Sequence, residues 1–369
     1  MYTTRRTSRP FRARIHNAYE VYWSHMQNVA LYRKYRPASF DDVVGQEMIV
    51  HALKQAIEKK QVAHAYLFSG GRGIGKTTLA RIVARAVGTD DRDLIEIDAA
   101  SQRGIDEIRQ LREEVHVLPF ASPYKVYVID EVHRLTKEAF NAFLKTLEEP
   151  PQHVIFILAT TDLHKVPDTI QSRCQMFTLR APTTAVVRDT VIRIAEQEGR
   201  TLDGAGAEII ALLADGAFRD ALGILQQVLS ATEAKRVTVE DVERCTGAPQ
   251  STLLIELVDA LAVRNADRAL RALRTMVETG NDMHHVTALL LRIVRSIIIV
   301  RYAAGEAKRI EAESAAVEWA AIDRHARDSR ATIHSKLLLA LIDATQRTGS
   351  TFITELPLEL AIIDHCSVS

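Results

Sequence analysis

Lys76 and Thr77 stand at the end of the run Gly70-Gly71-Arg72-Gly73-Ile74-Gly75-Lys76-Thr77-Thr78, which fits the phosphate-binding pattern G-x-x-x-x-G-K-[ST] without a mismatch. Glycines let backbone N–H groups turn inward around a polyphosphate, and a helix starting at the run's end adds its positive dipole terminus. Lys76 has the reach for β- and γ-phosphates, and the Thr77 hydroxyl is a ligand type suited to Mg²⁺. A second group follows in Val126-Tyr127-Val128-Ile129-Asp130-Glu131-Val132-His133, an apolar stretch ending in two acids. A carboxylate there binds Mg²⁺ through its water shell, the task for Asp130. Glu131 is then placed to orient and deprotonate an attacking water. Either motif alone has a plain structural reading, as a glycine-rich turn or as a solvated strand end. Their order, with one βα unit between, favours nucleoside triphosphate hydrolysis.

Such side chains need a parallel sheet to position them. Residues 65–69 read as a buried strand and 77–87 as the helix after the glycine-rich loop. Apolar positions Ile49, Leu53, Ala56 and Ile57 predict a helix over 46–60. Further strands are predicted at 93–97, 125–129, 154–159 and 175–179. Ile105, Ile108, Leu111, Arg112 and Val115 mark one more helix, and 137–148 another, closed by Pro150-Pro151. This alternation defines an α/β domain with a parallel sheet. Beyond Pro182 the strand signal disappears. Helices are predicted at 184–198, 206–214, 217–229 and 239–245, with a hinge at Gly247-Ala248-Pro249 and a helical region rich in Ala and Leu after it.

The chain has 369 residues, 47% hydrophobic and 25% charged, a composition of globular domains with ample core. Zero formal net charge means that contact with a polyanion must come from local basic groups. Cys174, Cys245 and Cys366 lie far apart and form no disulfide or zinc pattern, which suits a reducing cytoplasm. No run approaches the ~18 apolar residues of a membrane span; the longest, 289–300, is interrupted by Arg292 and Arg295. Before Leu31, Arg5, Arg6, Arg9, Arg12 and Arg14 occur with one acid, Glu20. Residues 1–30 are therefore expected to be a disordered basic extension or upstream sequence translated ahead of Met26; a transit peptide is the third option.

Leu31-Tyr32-Arg33-Lys34-Tyr35-Arg36-Pro37, followed by Phe40-Asp41-Asp42-Val43-Val44-Gly45-Gln46-Glu47, resembles the N-terminal box of AAA+ clamp-loader ATPases. Leu144-Lys145-Thr146-Leu147-Glu148-Glu149-Pro150-Pro151 and Leu158-Ala159-Thr160-Thr161-Asp162 are similar to the gamma/tau subunits of bacterial DNA polymerase III rather than to replication factor C. The resemblance runs from Leu31 to Cys366. It implies an α/β P-loop AAA+ domain over 31–181, a small α-helical lid domain over 182–247 and an α-helical collar domain for oligomerisation over 248–369. It implies an ATP hydrolase acting within the polymerase III holoenzyme in the bacterial cytoplasm, with ATP and Mg²⁺ as cofactors. The implied partners are delta, delta-prime, further gamma/tau copies, the sliding clamp and primer–template DNA, with three or four ATPase copies in a five-membered ring.

The same resemblance assigns further residues. Ser172-Arg173-Cys174 matches a motif whose arginine reaches the γ-phosphate of the neighbouring subunit. Thr161 matches the polar sensor at the strand end, with Thr160 the second choice, and Arg219 the second sensor on the lid. Tyr32, Arg36, Pro37, Val43 and Val44 are the candidates for adenine and ribose. Arg103 and Arg109 are the candidates for DNA phosphates. Family members usually carry a four-cysteine zinc module where Gly88-Thr89-Asp90-Asp91-Arg92 stands here, so no zinc is expected, and the long C-terminal extension of tau is expected to be missing. The alternatives are a delta-prime-like scaffold that does not hydrolyse ATP, and an AAA+ DNA motor such as a branch-migration helicase.

Overall fold

The computed structural model describes residues 29–367 except 102, 103, 313, 315, 329 and 331. The basic extension up to residue 28 and the DNA candidate Arg103 lie outside the described residues.

Five strands, β1 (Ala65–Ser69), β2 (Leu94–Asp98), β3 (Lys125–Asp130), β4 (Val154–Thr160) and β5 (Gln175–Thr178), form one parallel sheet in the order β2-β3-β4-β1-β5. Successive side chains of a strand point to opposite faces, and both faces here are covered. Tyr66, Phe68, Val126, Val128, Ile155 and Ile157 pack on one face with Leu79, Ile82 and Val83 of the helix Lys76–Ala86. Leu67, Tyr127, Ile129, Phe156 and Leu158 pack on the other with Ile108, Leu111, Phe143 and Leu147 from the helices Ile105–Glu114 and Lys137–Glu148. Each such fully buried side chain contributes about 1.5–3 kcal/mol. Burial on both sides is why these strands read as continuous apolar runs.

Parallel register brings the strand ends to one edge. Asp98 lies opposite Asp130, and Ser69 lies between Thr160 and Thr178. In open α/β sheets that carboxyl edge is where ligands bind.

Helices Thr184–Gln197, Gly204–Leu213, Phe218–Ala231 and Val239–Thr246 enclose a second core around Val191, Ile210 and Leu225. Two findings differ from expectation here. The strand signal does not end at Pro182: Thr201–Leu202 and Arg236–Val237 pair as short parallel strands. Leu31, at the start of the helix Leu31–Lys34, is buried in this second core rather than against the sheet, and its N–H donates to Gln226 Oε1 at 3.0 Å. Tyr35 and Lys34 both donate to Glu198. The chain then reaches the sheet at Phe40.

The remaining helices build a third core. Its longest helix, Met283–Tyr302, has the length and apolar composition of a bilayer span, contrary to the reading of 289–300. It is a core helix: Leu290, Ile293, Val294 and Ile297 have no exposure, and Arg292 is held by both oxygens of Glu318. Gly247, at φ +67°, ends the helix before this region.

Candidate nucleotide site

Where the sheet edge meets the second core, a cleft of about 1450 Å³ opens. The loop from Arg72 through Thr78 lines its floor, with Asp130, Glu131 and Thr161 from the neighbouring strand ends. Tyr32, Arg36, Pro37, Val43 and Val44 line another side, and Arg219 faces it from the helix Phe218–Ala231. Sequence motifs far apart in the chain thus share one cavity.

Gly70 and Gly71 lie behind the floor and serve through their carbonyls. Lys76, 6% exposed, donates to Gly70 O at 2.8 Å and to Gly71 O at 2.6 Å. Burial holds its ammonium below the ordinary lysine range, while Glu131 and Asp130 act the other way. Gly70 has φ +140°, and a Cβ there would stand 2.5 Å from the Leu179 carbonyl oxygen. Gly73, at φ +73°, comes so close to the lid that a Cβ would lie 2.9 Å from Ala217 Cβ. Both positions need glycine.

The Thr77 hydroxyl donates to Asp130 Oδ2 at 2.7 Å, and the Glu131 N–H donates to Asp130 Oδ1 at 2.9 Å. Glu131 occupies the left-handed region at φ +51°, a conformation that a non-glycine residue adopts at a cost and that recurs in functional sites. Its Oε2 accepts from Thr161 Oγ1 at 2.8 Å. Thr160, with no exposure, faces His133 instead. Arg36 is half-buried, and burial followed by the charge of Arg81 lowers its affinity for a proton. Arg219 lies over the Tyr32 ring at 5.9 Å.

This donor set suits a polyphosphate with a hard divalent cation. A desolvated ammonium bonded only to carbonyls gains from an anion. A hydroxyl and a carboxylate oxygen in contact are the ligand types that Mg²⁺ takes.

Two predicted residues are elsewhere. Arg173 does not line the cleft; its guanidinium donates to Glu148 Oε1 at 2.6 Å and to Thr169 O at 2.7 Å. Arg109 is exposed and pairs with Asp106 at 3.3 Å. Beside Arg173, burial pushes the Cys174 thiol up to about 12, which makes it unreactive at neutral pH. Just before β2, Asp93 accepts from the N–H groups of Phe120 and Ala121, and Arg92 lies over the Phe120 ring at 4.6 Å. Sequence reasoning missed three contributors: Arg134, Arg193 and His133. The first two line the cleft. Only His133 left a signal, as a polar residue two positions after Glu131.

The family model for the DNA polymerase III delta subunit matches residues 45–102 and 88–183, and that for domain III of the gamma and tau subunits matches 237–334. DNA polymerase III subunit tau of Bacillus subtilis is 37% identical over 93% of this chain and 64% of its own length. Subunit gamma of Buchnera aphidicola is 33% identical over 73% of this chain and 80% of its own. The chain belongs to the gamma/tau family of DNA polymerase III subunits. It spans only 53% of the Mycobacterium tuberculosis gamma/tau relative, to which it is 37% identical over 76% of its own residues. Among solved structures, the Thermotoga maritima RuvB Holliday junction branch migration motor superposes with a TM-score of 0.51 at 22% identity, over 62% of this chain and 79% of that one. At that identity the likeness shows the fold alone. The gamma/tau match in the third core is what separates this chain from a delta-type subunit, whose family model covers the sheet.

Proposed function

We propose that this chain is the ATP-hydrolysing gamma/tau subunit of a bacterial replicative clamp loader. It would use ATP binding and hydrolysis to place a sliding clamp on primed DNA. Its partners would be delta, delta-prime, further gamma/tau copies, the clamp and primer–template DNA, in the bacterial cytoplasm. The observation that carries the reading is the joined set of Lys76, Thr77, Asp130 and Glu131 at one sheet edge. A scaffold that does not hydrolyse nucleotide has no need of it. Residues 31–181, 182–247 and 248–369 would act as nucleotide-binding domain, lid and collar, with Leu31–Lys34 fastened to the lid.

The residues divide the chemistry. Lys76 would exchange its two carbonyl partners for β- and γ-phosphate oxygens, and Arg36, Arg72 and Arg219 would add charge from the sides. Thr77 and Asp130 would hold Mg²⁺, which when bound neutralises charge on the transferring phosphoryl group. Glu131 would take a proton from water as its oxygen attacks the γ-phosphorus and the bond to the leaving ADP oxygen breaks. Thr161 would hold Glu131 in place. Arg173 would reach a neighbour's γ-phosphate after leaving Glu148.

The test is reconstitution with delta, delta-prime and clamp subunits. ATPase activity should rise with both clamp and primed DNA. In the same ring Glu131→Gln should lower turnover by about 10²–10⁴-fold while retaining ATP binding. Activity indifferent to clamp and DNA would sink the reading.

A further inference from the structure

We propose that His133 is a positioning residue for Glu131, a role that rests on Glu131 being the base. His133 closes the stretch that carries Asp130 and Glu131 without a role of its own so far, yet its side chain is only 9% exposed and lies beside the Glu131 carboxylate. Its Nδ1 lies 3.0 Å from Thr160 Oγ1 and 3.3 Å from Glu131 Oε2.

The hydrogen bonds decide which nitrogen carries the proton. Thr160 Oγ1 has one hydrogen, and the Asp162 carbonyl 3.0 Å away can only accept it. The same oxygen accepts from the Asp162 N–H at 3.0 Å. Toward His133 it can therefore act only as an acceptor. An ionised Glu131 is also acceptor-only. Both neighbours suit Nδ1–H: it bonds to Thr160 Oγ1, and its positive edge lies 3.3 Å from Glu131 Oε2.

Glu131 Oε2 is thus held from two sides: Thr161 Oγ1 donates to it from just past β4, and the His133 Nδ1 edge, fixed on Thr160, lies 3.3 Å away on the turn after β3. Oε1 is left to take the proton from water. The arrangement also explains why two threonines occur in succession at the strand end. Thr161 grips the base directly, whereas buried Thr160 fixes the imidazole that grips it from the other side. Glu131 needs this support because its backbone, at φ +51°, sits in a conformation that neighbouring contacts must maintain.

The experiment compares His133→Ala, His133→Asn and His133→Gln chains in the reconstituted complex with clamp and primed DNA. Affinity for a fluorescent ATP analogue is measured on each. His133→Ala should lower kcat by about 10- to 100-fold, the scale of a misplaced catalytic group, with KM and analogue affinity unchanged. The amide nitrogen of Asn falls near Nδ1 and should restore most of the rate. That of Gln falls near Nε2 and should not. Wild-type kcat in the Ala variant, equal rescue by Asn and Gln, or parallel loss of affinity and kcat in all three would overturn the proposal. If the Ala variant fails to fold, the Asn and Gln pair decides. Glu131→Gln in the same ring separates the two ideas, since turnover there removes Glu131 as base whatever His133 does.

Discussion

The nucleotide cleft and the third core treat cationic side chains in opposite ways. In the cleft, Arg36, Arg72 and Arg219 have no carboxylate within ion-pair distance among the described residues, and Lys76 bonds only to carbonyls. In the third core, cations meet carboxylates of the chain itself. Arg292 bonds both oxygens of Glu318, and Arg324 donates to Asp259 Oδ1. Burying charge without a partner is costly, so uncompensated cations persist where a ligand repays them. Compensated ones hold architecture.

Arg173 is the hardest case for that rule. It is paired in the single chain, yet the family resemblance gives it a ligand. Arg173→Ala should lower turnover of the assembled complex by about 10³–10⁵-fold without changing nucleotide affinity of the chain alone. Steady-state ATPase and equilibrium binding read the two quantities. Wild-type turnover would return Arg173 to the architectural class, with Glu148 as its permanent partner.

Arg292→Ala examines the other side. Removing one member of a buried pair should cost about 3–5 kcal/mol in urea unfolding and leave nucleotide affinity of the folded protein intact. A loss below 1 kcal/mol, as for an exposed pair, would show that the third core does not depend on this match. Arg219→Ala should do the reverse, weakening ATP binding by about tenfold, the effect of one charge-assisted hydrogen bond, with little change in melting temperature.

The smallest effect is expected at Glu243, which sits between the second and third cores and accepts from Ser251 N–H at 3.2 Å and from its hydroxyl at 3.3 Å. Burial raises its pKa above the ordinary 4.5 despite those bonds. For an acid whose folded-state pKa is raised, stability falls as pH climbs from the unfolded value through the folded one, and the loss stays above it. Glu243→Gln should therefore raise the melting temperature slightly at pH 7, with the gain vanishing below pH 4.5. A gain that persists in acid would assign the effect to packing instead.

Much of the nucleotide site is legible in the sequence because local rules place it. Apolar runs bounded by turns mark strands buried on both faces, and a glycine-rich loop joined to a helix start leaves Lys76 and Thr77 one position to occupy. Asp130 and Glu131 are legible because they end such a run. What is not legible depends on contacts between distant segments. Two-residue strands such as Thr201–Leu202 are too short to carry a period. Leu31 carries no mark that its core lies with the lid rather than the sheet. The pairing of Arg173 with Glu148 joins two motifs that the sequence presents separately. Arg103 lies outside the described residues, so the structure describes only Arg109 of the two DNA candidates.

The chain passes between the sheet and lid cores twice, once between Leu31 and Phe40 and again between Leu179 and Val187. Gln46 ties the roots of the two crossings, donating to Arg180 O at 2.7 Å and accepting from Arg180 N–H at 3.3 Å. A body tethered at one point can tumble in three directions; tethered at two, it keeps a single rotation about the line joining them. Two such crossings would leave the lid one easy turn, about the line joining them. The Arg219 N–H already stands 3.5 Å from Gly73 O, so that turn would carry the guanidinium against or away from the phosphate loop.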